Sequence, residues 1–277
     1  MINVVSEMMS YPFIVRAVIV GILVSLCSSL LGVSLVLKKY SMIGEGLSHV
    51  SFGAIAIAVA LGFSPLKLSI PIVIIVAFLL LRIKESSKIK GDSAIALISS
   101  SSLAIGVISI AITTGMNTDV CNYMFGSILA MSKNDVYLSV VLSIIVIFLF
   151  TIYYNKIFAI TFDENFTKST GINVNFYNMI IAILTAITIV LGMRMMGAML
   201  ISSLIIFPYI ISMKIFKSFK SVVMSSGIVS ILSFCIGMII SYKFSTPTGA
   251  SIVVVNIIIF ILSIIVEKVK SNNRSYI

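Results

Sequence analysis

At 277 residues, 60% hydrophobic and 10% charged, with a mean hydropathy of +1.21, the chain departs from any water-soluble globular domain of ordinary composition. Composition alone makes it an integral membrane protein, with no stretch polar enough to form a soluble catalytic domain. A net charge of +10 would suit an anionic partner, but the basic residues sit in short clusters between apolar runs and form no stripe, which argues against nucleic acid.

The amino-terminal "MINVVSEMMSYPF" lacks the basic start of a secretory signal, and the apolar run behind it is long enough to stay in the membrane, so no cleavage is expected. Nine apolar segments follow in order, at about 12–37, 46–63, 67–82, 92–115, 135–154, 173–193, 195–213, 222–242 and 250–266. Each approaches the ~20 residues that an α-helix needs to cross ~30 Å of hydrocarbon. The fold expected is all-α: a single polytopic transmembrane domain, residues 1–277, of about nine spans. Eight are possible, because 67–82 and 250–266 are short and 195–213 must follow Arg194 through a tight turn. The loop 116–134 is too apolar to be solvated and too short for two crossings, so a short helix lying at the outer surface, or dipping back in, is expected there.

Lysine and arginine sort between alternate loops. Fourteen of the nineteen fall on one side of a nine-span chain: Lys38, Lys39, the group from Arg82 to Lys90, Lys156, Lys168, Lys214, Lys217, Lys220 and the three from Lys268 onward. The other side holds Arg16, Lys67, Lys133, Arg194 and Lys243, so the positive-inside rule places the amino terminus outside and the carboxyl terminus inside. Cys27, Cys121 and Cys235 are far apart with no CxxC, which indicates neither a disulfide framework nor a thiolate metal site. Ser28 with Gly32, and "SSSS" at 99–102, are small residues that let helices approach closely. "MRMMGAML" reads as adaptable packing and Arg194 as a side chain snorkelling to the surface. "STPTG" at 245–249 reads as a turn, with Pro247 fixing one dihedral and Gly249 relieving another.

"YSMIGEGLSHVSFGAIAIAV", residues 40–59, puts Glu45 and the chain's one histidine, His49, at the start of an apolar run. Four positions apart on a helix, the two side chains leave from one face. If that helix runs unbroken from Lys39, Glu45 lies roughly 9 Å and His49 roughly 15 Å from the basic cluster. An ionised side chain at such depth costs on the order of 2.5–3.5 kcal/mol, so the pair should face a partner, a cavity or an ion. Two arrangements meet that demand. In one, Glu45 pairs with a basic residue of another helix while His49 donates to a backbone carbonyl. In the other, carboxylate and neutral imidazole form half of a first-row metal site suited to Zn or Mn, and a second copy across a dimer axis supplies the other half.

"MIGEGLSHVSFGAIAIAVALG", residues 42–62, resembles the G-D-x-L-x-H segment of the zinc and manganese permeases of the bacterial ABC-3 family. Four further stretches agree in order: "DVCNYMFGSILAMSKNDV" at 119–136, "FDENFTKSTGI" at 162–172, "GAMLISSLIIFPYIISM" at 197–213 and "STPTGASIVVV" at 245–255, so that the match covers nearly the whole chain. The resemblance implies a permease subunit of an ATP-binding-cassette importer in the bacterial cell membrane, itself not an enzyme. It further implies inward transport of Zn²⁺ or Mn²⁺, with iron a lesser candidate, and no permanently bound cofactor. The partners implied are a cytoplasmic ABC ATPase, an extracellular metal-binding solute-binding protein, membrane lipid and a second permease copy, either identical or a close relative.

This sequence departs from the family pattern at three places. Glu45 stands where the family has aspartate, Ser245 where an aspartate precedes T-P-x-G, and Ser100 where some members carry histidine. Asp92 matches a family aspartate; as the residue opening a span it suits either the metal pathway, with Glu45 and His49, or the positive end of a helix.

The chain has no G-x-x-x-x-G-K-[ST] and no Gly-Lys dipeptide, so a phosphate-binding loop must come from elsewhere. "NKIFAITFDENFTKSTGI", residues 155–172, resembles the segment by which such permeases seat a short helix in a groove of the ATPase. Asp163 and Glu164 favour the start of that helix and Gly171 its end, with Asn165, Phe166 and Lys168 between them; the alternative is a solvated loop. A proton-coupled carrier without an ATPase, in which Glu45 and His49 relay protons, is the rival from another class. A membrane hydrolase is disfavoured, since one histidine and few carboxylates leave no second acid–base centre.

Overall fold

The computed structural model describes residues 2–86, 91–113 and 132–274, and every regular element among them is a helix. α1 (Ile2–Met9) precedes α2 (Pro12–Leu37), which Pro12 opens at a position where its missing N–H is harmless. Lys38 closes α2, and Lys39, with φ 58°, turns the chain into α3 (Ser41–Ala60). α4 (Pro65–Ser86) and α5 (Gly91–Thr113) follow. Ser132 caps α6 (Lys133–Ile152): its hydroxyl accepts from the Asp135 N–H, and the Asp135 carboxylate accepts from the Ser132 N–H in return. Two short helices, α7 (Tyr154–Phe162) and α8 (Glu164–Ser169), lead to α9 (Val174–Met196), α10 (Ala198–Ile215), α11 (Phe219–Phe244) and α12 (Thr248–Arg274).

Each of the nine apolar segments has its described residues mainly on helices. Among the described residues, α2 to α6, α9, α11 and α12 are the eight long and apolar enough to cross a membrane, while the apolar part of α10 is the shorter Leu200–Ile215. The short member is therefore α10 and not 67–82 or 250–266, because α4 and α12 extend well past their apolar cores, to 22 and 27 residues. α10 nevertheless runs back through the bundle. Gly197 alone joins it to α9, with φ 87° and ψ 162°, a backbone conformation open to glycine. At its other end Lys214 Nζ lies 2.6 Å from Glu267 Oε2 on α12. The surface helix expected within 116–134, and Cys121 with it, fall outside the described residues up to position 131.

α2, α3 and α9 occupy the centre, with 67%, 72% and 72% of their apolar spans buried against other helices; α5 lies at the periphery with 17%. Large apolar side chains such as Ile108, Ile112, Phe148 and Ile228 stand exposed on the outer helices, the surface that a bilayer covers. Close backbone approach sets the centre. A Cβ on Gly32 of α2 would stand 2.1 Å from the carbonyl oxygen of Ile205 on α10, and one on Gly53 of α3 would stand 2.6 Å from that of Ser102 on α5. The methionines of "MRMMG" pack as expected, with Met193, Met195 and Met196 buried.

Because a backbone oxygen cannot swing aside as a side chain can, Gly32→Ala should cost about 1–3 kcal/mol. In detergent its melting temperature should fall below that of the parent. Gly44→Ala, whose added methyl would meet only the terminal methyl of Ile205 at 3.3 Å, should melt close to the parent.

Candidate functional site

α3 begins at Ser41, two residues later than an unbroken helix from Lys39 would, because Lys39 adopts the left-handed region. Glu45 and His49 therefore lie about 6 Å and about 12 Å from the helix start, at 1.5 Å per residue. Leu47 and Val50 anchor another side of α3 in the core, which turns Glu45, Ser48 and His49 toward α10. Between the two helices lies an open cleft of about 320 Å³, whose far wall is built from Ser202, Ser203, Ile206 and Phe207 of α10.

The polar groups of this cleft are unevenly satisfied. Ser48 Oγ donates to the Glu45 carbonyl at 2.7 Å, and Ser203 Oγ donates to the Leu200 carbonyl at 2.8 Å. Among the described residues, His49 Nδ1 and Ser202 Oγ are buried without a hydrogen-bond partner, a state that ordinarily costs about 1–3 kcal/mol unless water or a ligand relieves it. Glu45 is exposed, and among the described residues its carboxylate enters no ion pair. The interhelical pairing of Glu45 with a basic residue is thus not what the structure contains. A carboxylate and an imidazole on one face of a cleft, with hydroxyls opposite, can hold a divalent cation.

Asp92 sits in the first turn of α5, exposed and outside the residues lining the cleft. Among the described residues no three His, Cys, Asp or Glu side chains converge, so one copy of the chain brings two ionisable ligands, Glu45 and His49, to this cleft. Ser100 and Ser245 are exposed and line no part of it. Ser245, with φ 52°, supplies the left-handed turn after α11, so the dihedral relief expected of Gly249 comes from Ser245 while Gly249 lies inside α12. Arg194 is half-buried, with Nε and Nη1 shielded from solvent, where a snorkelling surface side chain was expected.

Beside the carboxyl end of α2, residues 155–172 form α7 and α8. Asp163 caps α8, its Oδ1 accepting from the Phe166 N–H at 2.9 Å, and Glu164 occupies the first turn. Lys168 lies in the last turn, and Gly171 follows with φ 82°. Asn165, Phe166 and Lys168 are exposed, Phe166 to 67%, which leaves an aromatic ring facing outward from a short capped helix. Glu164 turns inward instead: its Oε1 lies 2.6 Å from Lys38 Nζ and accepts from Asn178 Nδ2 at 2.9 Å. Lys38 also donates to Asn178 Oδ1. Sequence reasoning did not find this cluster; Lys38 counted only toward charge asymmetry, and its partners lie 126 and 140 positions away. The α10 wall of the cleft was also missed, although "GAMLISSLIIF" places two serines in an apolar helix.

The ABC 3 transport family profile matches residues 10–267. The manganese import system permease protein ScaB of Streptococcus gordonii is 28% identical over 91% of this chain and 91% of its own length. The high-affinity zinc uptake membrane protein ZnuB of Haemophilus influenzae is 28% identical over 92% of this chain and 97% of its own. A solved structure of PsaBC from Streptococcus pneumoniae in complex with Fab superposes with a TM-score of 0.86 at 28% identity, covering 95% of each chain. The helical bundle and these relatives define a multi-pass membrane permease, a transport subunit in which ATP hydrolysis belongs to a separate protein. The chain belongs to the ABC 3 transport family.

In membranes holding a variant without native cysteines, Glu45→Cys should react with a polar maleimide, and Ser51→Cys, on the same helix but 0% exposed, should not. Equal labelling of the two would contradict an open cleft at Glu45.

Proposed function

We propose that the chain is the membrane-spanning subunit of an ATP-driven importer that carries Mn²⁺ or Zn²⁺ into a bacterial cell. The observation that carries this reading is the shared cleft face of Glu45 and His49, with His49 Nδ1 buried and unpartnered. Relatives named as a manganese permease and a zinc uptake protein agree with a ligand pair that suits either ion. The termini follow the charge asymmetry, amino end outside and carboxyl end inside.

Two ligands make a poor ion site, and an exposed glutamate on the flank of an apolar bundle is costly against lipid. A second copy placed against the α3–α10 face answers both demands. It covers Glu45 and brings a second carboxylate and imidazole to the same passage. Outside, a metal-binding protein delivers the ion. Inside, α8 with its exposed Phe166, Asn165 and Lys168, capped by Asp163 and ended at Gly171, docks in a groove of the ATPase. Asp92, at the mouth of α5, stabilises that helix start and has a lesser part in ion passage.

Reconstituted with its ATPase and delivery protein, Glu45→Gln should lower metal uptake and His49→Ala should abolish it, while Asp92→Asn costs less than either. Uptake by the permease alone, with no ATPase subunit present, would favour a proton-coupled carrier and contradict the proposal.

A further inference from the structure

The Lys38–Glu164–Asn178 cluster joins three elements that the sequence keeps apart: the end of α2, the first residue of α8 and the start of α9. The Lys38 side chain is 4% exposed, so its charge depends on these partners and not on water. Immediately beyond it the chain takes the left-handed turn at Lys39 and enters α3, the helix that bears Glu45 and His49. The turn itself is held closely. The Tyr40 N–H donates to the Leu35 carbonyl at 2.7 Å, and Lys38 Nζ lies 5.5 Å from the centre of the Tyr40 ring. Ile43 and Leu47 of α3 pack with Lys38, Tyr40 and Asn178 around a cavity of only about 20 Å³, which leaves little slack between the cluster and α3.

We propose that Lys38 is a positioning residue, through which the ATPase-docking helix α8 sets the pose of α3 and thereby of the Glu45–His49 face. A displacement of α8 carries Glu164 with it. The buried ammonium must follow its carboxylate, since an unpaired charge there is strongly disfavoured. Lys38 sits next to the one left-handed residue between α2 and α3, so the movement reaches α3 as a change of angle at Lys39. This inference rests on the reading of α8 as the ATPase contact and of Glu45 and His49 as the ion's ligands.

The test uses the complete transporter in liposomes, with Mn²⁺ or Zn²⁺ supplied by its delivery protein. Lys38→Met should assemble and hydrolyse ATP, yet carry about tenfold fewer ions per ATP, within the usual span of coupling factors. Lys38→Arg, which keeps the ion pair, and the exchange Lys38→Glu with Glu164→Lys should restore most of the ratio. Lys214→Met, which breaks the half-exposed pair to Glu267, should leave the ratio at the parent value. A Lys38→Met complex with the parent ratio overturns the inference, as does failure of every Lys38 variant, Lys38→Arg included, to assemble. A Phe166→Cys cross-link to the ATPase separates the two levels. Its absence removes the docking role of α8 itself; its presence beside an unaltered Lys38→Met ratio removes only the link.

Discussion

The cost of placing charge in hydrocarbon governs this molecule more than any single contact. Lys38 lies at the end of α2, buried with Glu164 and Asn178 closed around its ammonium. Lys214 lies at the end of α10 and meets Glu267 from α12. Glu45 and His49 stand apart: they sit inside an apolar helix and face a cleft, and among the described residues Glu45 enters no ion pair and His49 Nδ1 has no hydrogen-bond partner. Under that constraint the role proposed for them is to hold a cargo that passes and leaves, since a transport site must bind weakly enough to release.

Helix geometry then shapes the cleft. Glycines bring α2 against α10 and α3 against α5 at backbone distance, so α3 has little freedom to rotate about its axis. The one-residue joint at Gly197 returns the chain along α9 and sets α10, with Ser202 and Ser203, opposite Glu45 and His49. Glutamate in place of aspartate reaches one methylene further into that cleft. Oxygen-rich surroundings suit Mn²⁺, the imidazole suits Zn²⁺, and the balance between them rests on geometry.

The sequence exposed the helices because each is an apolar run bounded by charge or glycine, and that signal needs no knowledge of neighbours. The exception was the membrane fitness of α10, which depends on a turn at Gly197 and an ion pair to a helix far along the chain. Glu45 and His49 were legible for the same local reason: ionisable residues in an apolar run, one helical turn apart. What could not be read was pairing. Lys38 looks like an ordinary loop charge and Glu164 like the start of a short helix until the fold sets them 2.6 Å apart, and Ser202 looks like any small membrane serine until the cleft forms around it. Ser245 takes the left-handed conformation expected of Gly249, because α12 has already begun at Thr248.

X-ray absorption spectroscopy of Mn²⁺ or Zn²⁺ held in the assembled transporter tests the ligand face most directly. Imidazole scattering from His49 should appear together with carboxylate oxygen in the first shell, and the imidazole component should be lost in His49→Ala. A first shell of oxygen alone in the parent protein, or an imidazole signal that survives the substitution, would contradict it.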